Sequence, residues 1–155
     1  MQNKFLLESI RLAKEGMENN CGGPFGAVIV KDGQIIGSGY NRVLCDNDPT
    51  AHAEMVAIRN ACQHENNFWL KGAEIYSICE PCPMCLSAIY WAHIDKIYFA
   101  NTRTEASQIG FDDEFLYQEL THDLTHRRIP TEHIALPEAN EIFRYWSSKQ
   151  DKTPY

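Results

Sequence analysis

The sequence has no apolar run near the roughly 18–20 residues that a membrane-spanning helix needs. It also has no stretch dominated by Pro, Gly and Ser, no block of like charge and no internal repeat, so nothing divides its 155 residues and a single domain over residues 1–155 is expected. Basic residues are few: 14 Lys and Arg stand against 21 Asp and Glu, a net charge of −7. Nucleic-acid binding draws most of its non-specific affinity from Lys and Arg neutralising phosphates, so a polyanionic partner is not expected, and neither is a membrane. The opening residues Met1-Gln2-Asn3-Lys4-Phe5 lack the apolar core and cleavage site of a signal peptide, which makes the cytoplasm the expected location. Six cysteines without an export signal argue against a disulfide framework. Cys21, Cys45 and Cys62 are scattered, and each is expected to be a buried or incidental thiol.

What is present fits one globular α/β domain, with 44% apolar and 23% charged residues. Residues 3–18 predict an amphipathic helix with Phe5, Leu6, Ile10, Ala13 and Met17 on one face, ending at Asn19-Asn20-Cys21-Gly22-Gly23. Phe25 to Lys31 and Gln34 to Tyr40 predict strands joined by the two-residue turn Asp32-Gly33. A helix over 51–64 follows, with Asp48 or Thr50 as its cap. Then come a strand from Ala73 to Cys79, a helix from Pro83 to His93 and a strand from Lys96 to Ala100. Thr102 to Leu120 is helical but interrupted near Gly110, Glu132 to Leu136 is a short fifth strand, and Glu138 to Lys149 a last helix. This alternation predicts a mixed sheet covered by helices on its faces.

The chemistry concentrates in Cys79-Glu80-Pro81-Cys82-Pro83-Met84-Cys85. Shuffling this composition yields Pro-Cys-x-x-Cys only about 0.01 times per chain, whereas His-x-Glu, present as His52-Ala53-Glu54, arises roughly 0.5 times. The pair of motifs is therefore more informative than either alone. Three ligands, His52, Cys82 and Cys85, would leave the fourth tetrahedral position of a zinc ion open to water. Cys82 at a helix start sits where backbone N–H groups and the positive helix end favour the thiolate. Glu54, two residues from a ligand, would lie beside the metal and move protons. Without the cysteines it would read as a solvated helix glutamate. Other readings remain open: a redox Cys-x-x-Cys pair, a closed structural site with Cys79 as fourth ligand, or a cluster of core thiols.

These motifs resemble those of the cytidine/deoxycytidylate deaminase superfamily, whose zinc enzymes carry His-x-Glu followed by Pro-Cys-x-x-Cys. Within it the chain is similar to the small bacterial guanine deaminases. The residues that carry this are Gly22-Gly23-Pro24-Phe25-Gly26-Ala27-Val28, Asn47-Asp48-Pro49-Thr50-Ala51-His52-Ala53-Glu54, the cysteine cluster, Ala88-Ile89-Tyr90-Trp91-Ala92, Gly110-Phe111-Asp112-Asp113 and Tyr155. The metal motifs occur also in tRNA adenosine deaminases and do not choose the substrate. Gly-Gly-Pro-Phe-Gly-Ala-Val, Gly-Phe-Asp-Asp and the terminal aromatic point toward guanine, and plant guanosine deaminases share most of them.

The resemblance implies a three-layer cytidine-deaminase-like fold with a five-stranded mixed sheet between helices and one Zn2+ per subunit. It implies Glu54 as proton carrier, Asp113 as a base contact or proton-transfer partner, Phe25 on the purine face, Asn41 reading the base edge and Trp91 lining the pocket. It further implies a homodimer in which the segment from about 138 to 155 is exchanged, so that Tyr155 closes the pocket. From the residues alone Phe25 and Trp91 are as well read as core aromatics, Asn41 as a turn residue and Asp112-Asp113 as a helix cap. The expected reaction is hydrolysis of guanine to xanthine and ammonia, with guanosine, cytosine or an aminated triazine as alternative substrates.

Overall fold

Strand β1 (Gly26–Lys31) dictates the layers of the molecule. Its Ala27 and Ile29 pack with Ala53, Ala57, Ile58 and Ala61, while Val28 and Val30 pack with Phe5, Leu12 and Tyr76. A strand buried on both faces must be apolar throughout, which is why Gly-Ala-Val-Ile-Val shows no alternation. The structure, a computed structural model, describes residues 2–155.

In chain order the elements are α1 (Gln2–Glu18), β1, β2 (Gln34–Tyr40), α2 (Val43–Asp46), α3 (Ala53–Glu65), β3 (Ala73–Cys79), α4 (Pro83–Trp91), β4 (Lys96–Asn101), α5 (Arg103–Gln108), α6 (Asp113–Thr121), a 3-10 turn at Leu124–His126 and α7 (Pro137–Ser148). The sheet order is β2-β1-β3-β4. β1 is antiparallel to both β2 and β3, and β3 runs parallel to β4 through the α4 crossover. Asp32 and Gly33, both at positive φ, close the β1–β2 hairpin between paired Lys31 and Gln34. α1 covers one face and α3 with α4 the other.

Several expectations need correction. The sheet has four strands and not five among the described residues: Glu132–Leu136 forms no ladder, and every one of its residues is exposed. Apolar–polar alternation favours extended backbone but does not supply a partner strand. The buried face of α1 is rotated from the one expected, with Phe5, Ser9, Leu12 and Ala13 inside and Ile10 and Met17 exposed. A tolerated buried Ser9, whose hydroxyl donates to Leu6 O, disguises the true stripe. The cap of α3 is His52; Asp48 instead accepts from the Thr50 N–H and hydroxyl. Finally, Cys21 and Cys45 are not separate thiols but a disulfide. The end of α1 and the α2 turn are brought together where Leu44 N–H donates to Cys21 O.

The chain divides into two compact units, the first ending at Tyr117 and the second running from Gln118 to Tyr155. In the second, α7 leaves Ile142, Phe143, Tyr145 and Trp146 exposed. Among the described residues no helix is long and apolar enough to cross a membrane.

Candidate metal centre and adjoining pocket

Two helix starts meet at the ends of the sheet. His52 is the N-cap of α3 and Cys82 the N-cap of α4, with Pro83 at the first helical position where its missing N–H leaves nothing unpaired. α3 sits close on β2: a Cβ at Gly39 would lie 2.7 Å from Ala53 O, so only glycine lets the helix start this near the sheet. Cys85 follows one turn into α4 and is fully buried.

His52 Nδ1 lies 3.6 Å from both Cys82 Sγ and Cys85 Sγ, and the three donor atoms fall within 4.8 Å of one another. A tetrahedral zinc with Zn–S near 2.3 Å and Zn–N near 2.0 Å separates its S and N ligands by about 3.5 Å. The donor set and its spacing therefore fit zinc. Cys79 is not among these donors; its thiol faces Thr102 O at 3.8 Å, and burial pushes its pKa up to about 11. Cys82 is held down to about 4, chiefly by the hydrogen bond from Cys85 and also by His52, against the effect of burial. Cys85, the donor in that bond and buried, is pushed in the opposite direction.

Glu54 lies in the first turn of α3 and is 6% exposed. Ser77 Oγ, on β3, donates to its Oε1 at 2.9 Å. The serine oxygen also accepts the Cys79 N–H at 3.4 Å, which leaves its proton directed to the carboxylate. Burial raises the carboxyl pKa, opposed by its own backbone N–H and by Ser77. A buried carboxyl with raised proton affinity is suited to carrying protons near neutral pH.

His52, Glu54 and Cys82 line a cavity of about 380 Å³, together with Phe25, Asn41 and Asp113. Asn41 Oδ1 accepts the Val43 N–H at 3.1 Å, which fixes the amide and reserves its NH2 group as the remaining donor. A Cβ at Gly22 would lie 2.0 Å from that oxygen, so a side chain there would push the amide away. Phe25 meets Phe111 edge to face, with centroids 4.8 Å apart at 90°. Asp113 is half-buried, and burial and the Cys82 charge raise its pKa. Trp91, expected in the pocket, is 65% exposed on the last turn of α4 and does not line this cavity; Tyr155 belongs to the second unit, where it is exposed. Two residues went unassigned from sequence. Phe111 lay within a quoted motif but had no role until Phe25 was seen against it. Ser77 carried no signal beyond being polar within an apolar strand.

Residues 1–101 match the family described as "Cytidine and deoxycytidylate deaminase zinc-binding region". The chain is 46% identical over 151 residues to the guanine deaminase of Bacillus subtilis, covering 97% of each chain. The crystal structure of that guanine deaminase superposes with a TM-score of 0.96, covering 99% of this chain and 98% of its own. The tRNA-specific adenosine deaminase of Aquifex aeolicus is 35% identical over 145 residues, 94% of this chain and 93% of its own. A further solved structure, in complex with 2,6-diaminopurine, has a TM-score of 0.70 and 27% identity over 73% of this chain and 63% of its own. With zinc-compatible donors at two helix starts, a buried carboxyl beside them and matches of this extent, the chain belongs to the cytidine and deoxycytidylate deaminase family.

Proposed function

We propose that this protein hydrolyses guanine to xanthine and ammonia with one zinc ion per chain. The observation that carries the reading is the juxtaposition of buried Glu54 with His52 and Cys82 on the floor of a cavity walled by Phe25, Asn41 and Asp113, with fully buried Cys85 completing the donor set. Nearly half-identity to a guanine deaminase over almost the whole of both chains selects guanine within the family.

His52, Cys82 and Cys85 would hold the ion, and zinc bound there supplies Lewis acidity that makes hydroxide available near neutral pH. The purine stacks on Phe25, whose ring is braced by Phe111. The Asn41 NH2 donates to an acceptor on the base edge, and Asp113 accepts from base N–H groups. Glu54 takes the proton of the attacking water on the oxygen not held by Ser77 and delivers it to the ring nitrogen beside C2. As the C2–N bond breaks and the C2–O bond becomes a carbonyl, Glu54 takes the remaining proton of the added hydroxyl and passes it to the departing amine, which leaves as ammonia. One water is consumed and the carboxylate is regenerated.

The reading includes a homodimer. Exposed Ile142, Phe143, Tyr145 and Trp146 on α7 give the C-terminal segment an apolar face suited to a second copy, and Tyr155 is the residue assigned to closing that copy's pocket. Mixing tests this. Co-expressed Glu54→Gln and Tyr155→Ala chains should be more active than either alone if Tyr155 acts on the partner, and no more active if it does not. The substrate is tested by ammonia release from guanine, guanosine, cytosine, cytidine and adenine. Guanine should be preferred by at least about 100-fold, as expected where buried polar groups are left unpaired by the wrong base. Equal or faster release from another member would overturn the assignment.

A further inference from the structure

Helix α6 begins with Asp113, yet none of its residues is buried. A helix of nine residues without a buried face gains little from propensity alone and needs other contacts to stay in place. Its first two turns have them, and they converge on the segment just before Cys82. Tyr117 Oη donates to the Pro81 carbonyl at 2.8 Å. The Arg103 guanidinium lies 4.4 Å from the centre of the Tyr117 ring, and its Nε pairs with Glu114 Oε2 at 3.0 Å. The Arg103 N–H in turn donates to Glu80 Oε2 at 3.1 Å. Arg103 is itself fixed as the first residue of α5, behind the Thr102–Glu105 capping box. Asp113 and Tyr117 are four residues apart and share one face of α6.

We infer that Tyr117 and Arg103 are positioning residues that hold Asp113 in the pocket wall and thereby set the affinity for the purine. The inference rests on the reading that Asp113 contacts the base. Tyr117 touches no reacting atom; it ties the helix that carries Asp113 to the Pro81 carbonyl, one residue before a metal donor. The floor and this wall are thus registered to each other through the Tyr117 hydroxyl and the guanidinium stacked on its ring. Loss of one such hydrogen bond is worth about 2- to 12-fold in an equilibrium.

The test uses the zinc-loaded, full-length protein with Tyr117→Phe and Arg103→Ala. Amide hydrogen exchange of residues 113–117 should accelerate several-fold, and KM for guanine should rise about fivefold, while kcat and zinc content stay within about twofold. In an Asp113→Ala background Tyr117→Phe should add nothing further to KM. Unchanged exchange would overturn the latch. Faster exchange with unchanged KM, or a Tyr117→Phe penalty that persists in full without Asp113, would overturn its link to binding. A wild-type KM in Asp113→Ala alone would instead remove Asp113 from the proposed mechanism, an outcome separable from the exchange result.

Discussion

The floor and the wall of the same cavity are built differently. On the floor, His52, Glu54, Cys82 and Cys85 sit in the first turns of α3 and α4, helices anchored by Ala53, Ala57, Ile58 and Ile89 in the core. On the wall, Asn41 and Val43 belong to a loop and a four-residue helix, and Asp113 to a helix with no buried residue. The floor is held by apolar packing, the wall by individual hydrogen bonds, an ion pair, ring contacts and a disulfide. On the proposed mechanism, the chemistry would reside where the helices are anchored in the core, and the choice of base where the contacts are individually replaceable.

Variants can separate the two. Cys85→Ala should abolish zinc binding and lower activity by more than about 10⁴-fold, because a ligand is lost from a buried site, with metal content measured alongside ammonia release. Asn41→Ala should raise KM for guanine about 10- to 100-fold with zinc retained, as expected for one base-edge contact of 1–3 kcal/mol. Ser77→Ala should lower kcat about tenfold at constant KM and zinc content, and Ser77→Thr, which keeps the hydroxyl, should restore most of it. The mildest change is reduction of Cys21–Cys45 by dithiothreitol. The bond closes 24 residues of sequence, so its loss should cost about 2–4 kcal/mol in denaturant unfolding. Because it ties the segment before Gly22 to that following Leu44, KM should shift more than kcat. If Ser77→Ala changed KM alone, or reduction changed kcat alone, the division between floor and wall would fail.

The same division governs what could be read from the sequence. His-x-Glu and Pro-Cys-x-x-Cys are each local, with the helix start that orients each within a few residues; their convergence across 30 residues was legible only because the two motifs together resemble the deaminase signature. The Ser77–Glu54 bond spans 23 residues and the Tyr117–Pro81 bond 36, and neither residue type announces its partner. Cys21 and Cys45 were discounted on compartment and composition, but their pairing depends on where α1 ends relative to α2. The unformed fifth strand has the same cause, since pattern within a strand says nothing of an available neighbour. Buried Ser9 shows the converse: a polar residue satisfied by its own helix can occupy a core position and hide the stripe.

The claim that the floor carries the chemistry is tested most directly by one measurement, ammonia release from guanine by zinc-loaded Glu54→Gln protein. Glutamine keeps the shape of the side chain and an oxygen for Ser77 but cannot accept and return a proton near neutral pH. The expected result is a loss of at least about 100-fold in kcat with zinc content unchanged. A rate equal to that of the wild-type protein would contradict the account.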